Sequence, residues 1–179
     1  MAQRDDVLVW IDLEMTGLDP EACRIIELAM ILTDRDLNEL APPLEIVVWQ
    51  PDSNLESMPP FVREMHTSSG LLDKVRQSRI DTADAERQVM GVLTQIASYR
   101  TAHLAGNSVW QDNRFMRRYM PAVSNYLHYR IIDVSTVKEL AGWWNNVRYS
   151  KANGAKHTAL FDIEQSIEEL RFYREKVMS

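Results

Sequence analysis

Residues 7–14 constrain the fold most, because this segment is apolar except for two carboxylates at its end. The alternation of its side chains predicts a buried β-strand. One face carries only apolar side chains, and the other begins apolar and ends with two acids, Asp12 and Glu14. The chain must therefore cover both faces of this strand while holding two carboxylates together at its carboxyl end.

The remaining pattern predicts an α/β fold. Apolar segments at 24–33 and 44–49 predict two more strands, which would form a meander with the first. Short strands are expected at 103–106 and 130–134. Helices are expected from Pro60 to His66, from Asp81 or Thr82 to about 98, and over 112–119, 137–144 and about 158–176. Strands followed by alternating helices and strands indicate a mixed sheet flanked by helices.

Composition restricts the classes of protein that fit. The 179 residues suit one compact domain spanning 1–179, and no apolar run is long enough to cross a bilayer. The single cysteine, Cys23, cannot form a disulfide framework and indicates a reducing cytoplasm. The net charge of −6 argues against a protein that grips long duplexes through many Lys and Arg contacts.

The acid pair is chemically specific when the strand is buried. Neighbouring carboxylates in a buried setting repel each other and resist desolvation, and a bound divalent cation removes both costs. Ligand sets made only of oxygen suit Mg²⁺ or Mn²⁺ rather than zinc. The alternative is a strand end at which Asp12 and Glu14 simply reach water, and an isolated pair would favour that alternative.

Three further residues extend the pattern. Asp112 follows a Gly-Asn-Ser turn at a strand-to-helix junction, and His157 and Asp162 open the last helix. Each has an ordinary reading alone, since acids are favoured in a first helical turn. Their order along the chain is the stronger signal: two acids on the first strand, one acid in mid-chain, then a histidine and an acid near the end.

That order resembles the exonuclease superfamily with four acidic residues plus a histidine, and within it the bacterial oligoribonuclease family. The likeness runs nearly from end to end. It includes the strings WIDLEMTGL (10–18), IIELA (25–29), LAGNSVWQD (104–112), RRYMP (117–121) and YRIIDVS (129–135). The resemblance implies a ribonuclease-H-like fold with a mixed five-stranded sheet, and 3′→5′ exonuclease activity.

The resemblance also implies a two-metal mechanism. Asp12, Glu14 and Asp162 would hold one Mg²⁺ or Mn²⁺. Asp12 would bridge to a second ion, with Asp112 contributing directly or through water. His157 would accept the proton of the attacking water, since an unperturbed imidazole titrates near neutrality.

Substrate-binding residues follow from the same resemblance, which implies very short oligoribonucleotides as substrates. Leu18 would wedge between two bases and Phe61 would stack on the terminal base. Four residues would cap the 5′ phosphate and exclude longer chains (His66, Ser108, Arg130 and Ser135). Tyr129 would reach the substrate across a homodimer. From the residues alone, Leu18 could be an ordinary turn residue, Phe61 could pack in the core, and Ser135 could cap a helix.

Two alternatives and one departure remain open at this point. The chain could act on longer single-stranded 3′ ends, as proofreading and RNA-trimming exonucleases do. It could instead be a non-catalytic nucleic-acid-binding or interaction domain, although all five motif positions are present. The family has Asp-Asp-Ile-Arg where this chain has Phe161-Asp162-Ile163-Glu164, which puts polar contacts beside Asp162 in doubt.

Overall fold

The computed structural model describes residues 3–150 and 158–178. It contains strands β1 (Leu8–Met15), β2 (Ile25–Thr33), β3 (Leu44–Val47), β4 (His103–Gly106) and β5 (Ile131–Asp133). The helices are α1 (Asp52–Glu56), α2 (Pro60–Ser68), α3 (Leu71–Gln77), α4 (Thr82–Ile96), α5 (Trp110–Tyr119), α6 (Pro121–Tyr126), α7 (Val134–Asn145) and α8 (Ala159–Val177). In the described part of the chain, no helix is both long enough and apolar enough to span a membrane.

One sheet contains all five strands, in the order β3-β2-β1-β4-β5. β1 pairs antiparallel with β2, which pairs antiparallel with β3. β1 also pairs parallel with β4, and β4 pairs parallel with β5. The predicted mixed five-stranded sheet flanked by helices is therefore confirmed, and β1 lies at its centre.

The two faces of β1 enter different cores, as the alternation predicted. Val7, Val9, Ile11 and Leu13 belong to a large core that includes side chains from α4, α5 and α6. Leu8 and Trp10 pack on the other face, against Ala159, Ile163 and Ile167 of α8. Asp12 and Glu14 follow Trp10 on this second face, so they point to the side of the sheet that α8 covers.

The differences from the predicted elements lie in segments rich in turn formers. Two helices were not predicted: α1 lies within residues 51–60, and α3 follows α2. Pro121 ends α5 as predicted but also occupies the first turn of α6, where a missing backbone N–H costs nothing. The helix expected at 137–144 begins earlier because Asp133 is its N-cap and accepts a hydrogen bond from the Ser135 N–H. Ser135 is therefore not a helix cap.

The hydrogen bond between Trp10 and Thr33 gives a test of this core. Trp10 Nε1 donates to Thr33 Oγ1 at 3.0 Å, and both residues are fully buried. Thr33→Val keeps the side-chain shape but leaves the indole N–H without its acceptor. We expect a loss of about 1–3 kcal/mol in the free energy of unfolding, measured as a lower urea midpoint at unchanged slope. Thr94→Val is the control, since Thr94 is half-buried and its hydroxyl bonds only within its own helix. Equal losses of unfolding free energy in the two variants would contradict a stabilising role for the hydrogen bond between Trp10 and Thr33.

Candidate active site

Asp12 and Glu14 stand at the carboxyl end of β1. In the pairing with β2, Asp12 lies opposite Ala29 and Glu14 lies opposite Glu27. The register shifts between Glu14 and Met15, so the regular ladder is interrupted directly after the second acid. The strand therefore delivers both carboxylates to the point where the sheet opens, which is where α/β sheets place ligands.

Asp112 reaches the same point from α5. It lies in the first turn of that helix and is 6% exposed, and its Oδ1 accepts a hydrogen bond from the Leu13 backbone N–H at 3.0 Å. Gly106 lets the end of β4 approach β1, because a Cβ at this position would lie 3.3 Å from the Ile11 carbonyl oxygen. The hydrogen bond from Leu13 holds the Asp112 carboxylate at the backbone of the residue that separates Asp12 from Glu14.

Asp162 comes from the first turn of α8. The Thr158 hydroxyl caps this helix by accepting a hydrogen bond from the Phe161 N–H at 3.3 Å. Asp162 lies near enough to Asp12 and Glu14 to raise the pKa of both. Four carboxylates from three distant segments thus come near one another at the carboxyl end of β1.

Burial and mutual repulsion destabilise the charged forms of these acids. Burial, with repulsion from the neighbouring carboxylates, raises the pKa of Asp12 to about 8. Burial and then repulsion from Glu27 raise the pKa of Glu14 to about 7. Burial also raises the pKa of Asp112 to about 7, although the hydrogen bond from Leu13 opposes the rise. The cluster resists ionisation unless a cation offsets the charge.

The donor set fits a hard divalent cation, because it consists of carboxylate oxygens. Among residues 3–150 and 158–178, no three His, Cys, Asp or Glu side chains are grouped tightly enough to hold one ion. A cation would therefore have to draw the carboxylates closer together. The attraction of each carboxylate to the ion would drive that movement against the repulsion between the acids.

His157, the predicted proton acceptor, lies outside the described residues. Its position in the chain is directly before the helix cap Thr158 and five residues before Asp162.

His66 lies beside Glu14 rather than at an open surface. It is 2% exposed, its Nε2 lies 3.0 Å from the Met15 carbonyl oxygen, and its Nδ1 lies 4.0 Å from Glu14 Oε2. Burial lowers the pKa of His66, against a smaller opposing effect of the hydrogen bond to Met15. The imidazole thus supports the end of β1 directly.

Leu18 and Phe61 are both strongly exposed, at 73% and 76%. Leu18 lies in the loop after β1, and Gln111 Nε2 donates to its carbonyl oxygen at 2.6 Å. Phe61 lies in the first turn of α2. The core-packing alternative for Phe61 is therefore wrong, and both side chains are available for contact with a ligand.

Ser108 and Ser135 meet at the ends of β4 and β5. Ser108 has a positive φ of 51° and its N–H donates to Ser135 Oγ at 2.9 Å and to Asp133 Oδ1 at 3.0 Å. The two hydroxyl oxygens are 3.1 Å apart. A left-handed conformation is unfavourable for serine and persists only where the surroundings hold it.

Tyr129 and Arg130 form a separate exposed pair. Tyr129 is 71% exposed, and the Arg130 guanidinium lies over its ring at 5.1 Å from the centroid. The His128 ring lies 4.6 Å from that of Tyr129 and is tilted by 30° against it. The structure thus joins Arg130 to Tyr129, whereas Ser108 and Ser135 contact each other.

Sequence reasoning missed Glu27, which lies opposite Glu14 on β2. Burial raises the pKa of Glu27, with the nearby Lys74 opposing the rise. The available signal was an acid inside the otherwise apolar segment of β2. A cavity of about 410 Å³ beside Glu14 is lined by polar and apolar side chains that include Glu27, Met65, His66, Lys74 and Thr158.

The two departures beside Asp162 differ in their surroundings. Glu164 is exposed on α8, and Phe161 is half-buried, with its backbone N–H bonded to the helix cap.

Comparison with known proteins gives consistent results. The family model described as "RNase_T: Exonuclease" matches residues 9–170. An oligoribonuclease of Francisella tularensis subsp. tularensis (strain WY96-3418) is 46% identical over 178 residues, covering 99% of each chain. An oligoribonuclease of Thiobacillus denitrificans (strain ATCC 25259 / T1) is 48% identical over 178 residues, covering 98% of this chain and 97% of the relative.

Solved structures share the fold at low identity. Exonuclease I from Methylocaldum szegediense superposes with a TM-score of 0.74 at 18% identity, over 97% of this chain and 41% of that chain. E. coli exonuclease I in complex with a 5cy-dT13 oligonucleotide superposes with a TM-score of 0.76 at 15% identity, over 98% of this chain and 42% of that chain. This chain thus spans about two fifths of those structures.

The raised pKa of Asp12 predicts a stability effect with a definite sign. A carboxyl whose pKa rises on folding stabilises the folded state below its unfolded pKa of 3.8, and this contribution is lost as pH rises toward about 8. Asp12→Asn removes the buried charge. In EDTA at pH 8, we expect the variant to have a higher melting temperature than the wild type, and the difference to shrink toward pH 4. Mn²⁺ should stabilise the wild type but not the variant.

Asp73→Asn is the matched control, because Asp73 is exposed on α3. Its melting temperature should follow that of the wild type at every pH. A melting temperature of Asp12→Asn at or below that of the wild type in EDTA at pH 8 would refute the electrostatic reading of the site.

Proposed function

The chain belongs to the exonuclease family, and on that premise we propose that it is a 3′→5′ exoribonuclease that hydrolyses very short oligoribonucleotides, dinucleotides above all, to mononucleotides. The observation that carries the proposal is the convergence of Asp12, Glu14, Asp112 and Asp162 at the carboxyl end of β1. The likeness to oligoribonucleases over 99% of both chains supports the choice of substrate.

The proposed cofactors are two Mg²⁺ or Mn²⁺ ions for each active site. Asp12, Glu14 and Asp162 would hold one ion, and Asp12 would share the second with Asp112. When bound, two such cations stabilise the charge that develops on the attacking and leaving oxygens of a phosphodiester. The oxygen-only donor set and the raised carboxyl pKa values support this assignment.

The protein's own groups would orient the substrate and move the proton. His157 would take the proton of the attacking water, as the fifth residue of the motif. The hydrogen bond from the Leu13 N–H would hold the Asp112 carboxylate in place. His66 would support Glu14 through its position between that acid and the Met15 carbonyl oxygen, in addition to the phosphate role that the resemblance implies.

Short substrates are favoured by the character of the binding residues. The exposed Leu18 and Phe61 would wedge and stack on the bases, and stacking on an aromatic ring tolerates any base. Ser108, Ser135, Arg130 and His66 would cap the 5′ phosphate. The net charge of −6 suits a substrate with few phosphates, since such a substrate gains little from an extended basic surface.

A single exonuclease domain accounts for residues 1–179, and we place the protein in the cytoplasm. The family match over 162 positions, from residue 9 to residue 170, supports the first statement. The free thiol of Cys23 supports the second. Subcellular fractionation tests the location.

A rate series over oligoribonucleotides from two to seven residues tests the choice of substrate. We expect kcat/KM to be highest for the dinucleotide and to fall with length, because the residues that cap the 5′ phosphate leave no room for further nucleotides.

Asp12→Ala should abolish hydrolysis at every length, which controls for a contaminating nuclease. Degradation of long single strands at least as fast as dinucleotides would favour the alternative, an exonuclease for longer 3′ ends. Turnover by Asp12→Ala equal to that of the wild type would reject the metal site.

A homodimer in which Tyr129 reaches the partner's substrate predicts complementation between inactive variants. The ring is 71% exposed, and Trp143 and Trp144 on α7 are also exposed, at 68% and 74%. Tyr129→Ala should keep the oligomeric state but lose turnover. Co-expression with Asp12→Asn should restore activity above the sum of the two variants, because a mixed dimer contains one intact site. Additive activity, or a monomer by sedimentation, would contradict the crossed arrangement.

A further inference from the structure

Among residues 3–150 and 158–178, Glu169 is the most deeply buried carboxylate outside the acid cluster. It lies on α8 two turns after Asp162, and it is 1% exposed. Its Oε1 lies 3.5 Å from Lys138 Nζ and 3.3 Å from the Tyr173 hydroxyl, which donates to it. Its Oε2 accepts from Asn107 Nδ2 at 3.1 Å. Burying a carboxylate is costly, so three polar partners indicate a defined role.

The contacts of Asn107 leave only one orientation for its side-chain amide. Its Nδ2 donates to Glu169 Oε2 and also to Ser166 Oγ, at 2.9 Å. Ser166 can accept because its own proton goes to the Asp162 carbonyl oxygen, at 2.8 Å. A carboxylate accepts and does not donate. Glu169 therefore requires the NH₂ of Asn107 on its side, and the amide oxygen must face the other way.

The amide oxygen faces Ser135, and this fixes the proton of that hydroxyl. Ser135 Oγ donates to Asn107 Oδ1 at 3.1 Å. A serine has a single hydroxyl proton. Ser135 Oγ can then only accept from Ser108, whose backbone N–H lies 2.9 Å away and whose hydroxyl lies 3.1 Å away. Of the two serine hydroxyls, only that of Ser108 can turn its proton toward an anion without breaking a bond to Asn107.

We propose that Glu169 is a positioning residue: through Asn107 and Ser135 it sets the hydroxyl of Ser108 as the donor to the 5′ phosphate of the substrate. The inference rests on the proposed function, in which Ser108 and Ser135 cap that phosphate. The same contacts tie the loop after β4 to α8, the helix that carries Asp162. The phosphate end and the metal end of the site are thereby held at a fixed separation.

Tyr173 links Glu169 to the backbone of Tyr149. Its hydroxyl donates to Glu169 Oε1 and accepts a hydrogen bond from the Tyr149 backbone N–H at 3.2 Å. Tyr149 lies two residues before the segment 151–157, which contains His157. Glu169 and Tyr173 therefore connect to the chain that leads into the proposed proton acceptor.

Glu169→Gln tests the role of the carboxylate while keeping its shape. An amide at this position brings an NH₂ group into competition with Asn107 and permits the Asn107 amide to flip, which releases the Ser135 proton. Glu168→Gln is the matched control, since Glu168 is the neighbouring exposed acid on α8. The measurement is kcat/KM for a dinucleotide with a 5′ phosphate divided by kcat/KM for the same dinucleotide with a 5′ hydroxyl.

We expect Glu169→Gln to reduce this ratio about tenfold, as for one hydrogen bond to a charged group, with most of the change in KM for the phosphorylated substrate. Glu168→Gln should keep the wild-type ratio. Because Glu169 acts through Ser108, the reduction should largely disappear in a Ser108→Ala background. A general loss of packing would instead lower both rates and leave the ratio unchanged, which would overturn the proposal.

Tyr173→Phe carries the test if circular dichroism shows that Glu169→Gln does not fold. This variant removes one hydrogen-bond partner of Glu169, so the ratio of kcat/KM with and without the 5′ phosphate should also fall. An unchanged ratio would again overturn the inference.

Failure of the proposed function would give a different result. The wild type would then show no preference for the 5′ phosphate, whereas failure of the inference alone leaves that preference intact in both the wild type and Glu169→Gln.

Discussion

The energetic cost of holding acidic side chains at the end of a buried central strand governs this structure. β1 is covered on both faces, and it ends in two carboxylates, Asp12 and Glu14. Burial and repulsion favour the neutral form of both. Two helices add to that cost, since α5 supplies Asp112 and α8 supplies Asp162. Such an arrangement lowers the stability of the fold, and divalent cations provide a physical reason for keeping it.

The rest of the site keeps these charges in fixed positions. Asp112 is held by the backbone of the strand that carries the other acids, so its position depends on β1 rather than on a flexible side chain. His66 lies against the same strand end from α2. A series of hydrogen bonds runs from the Asp162 carbonyl oxygen on α8 through Ser166 and Asn107 to Ser135 on α7. Groups from both halves of the chain thus restrict the movement of one small region.

Much of the fold and of the acid cluster could be predicted from local pattern. The strand at 7–14, its two faces and the mixed sheet follow from side-chain alternation and element order. Asp12 and Glu14 share a face by simple geometry, and Asp112 and Asp162 were found by their order along the chain. Glu27 was missed because an acid inside an apolar strand points to no particular site until its partner across the ladder, Glu14, is known. α1 and α3 were missed because their segments are short and contain turn formers.

The sequence by itself determined that the first strand is covered on both faces, which of its faces is acidic and which residue types are available for metal chemistry, because these follow from the period of a β-strand and from the chemistry of side chains. That this strand is central in the sheet was decided by the tertiary structure. Only the tertiary structure decided that Phe61 is exposed, that His66 is buried beside Glu14, and that Glu169 orients Asn107 and Ser135. Those outcomes depend on contacts between residues far apart in the chain. Burial and hydrogen-bond direction are properties of the assembled neighbours, and no local pattern encodes them.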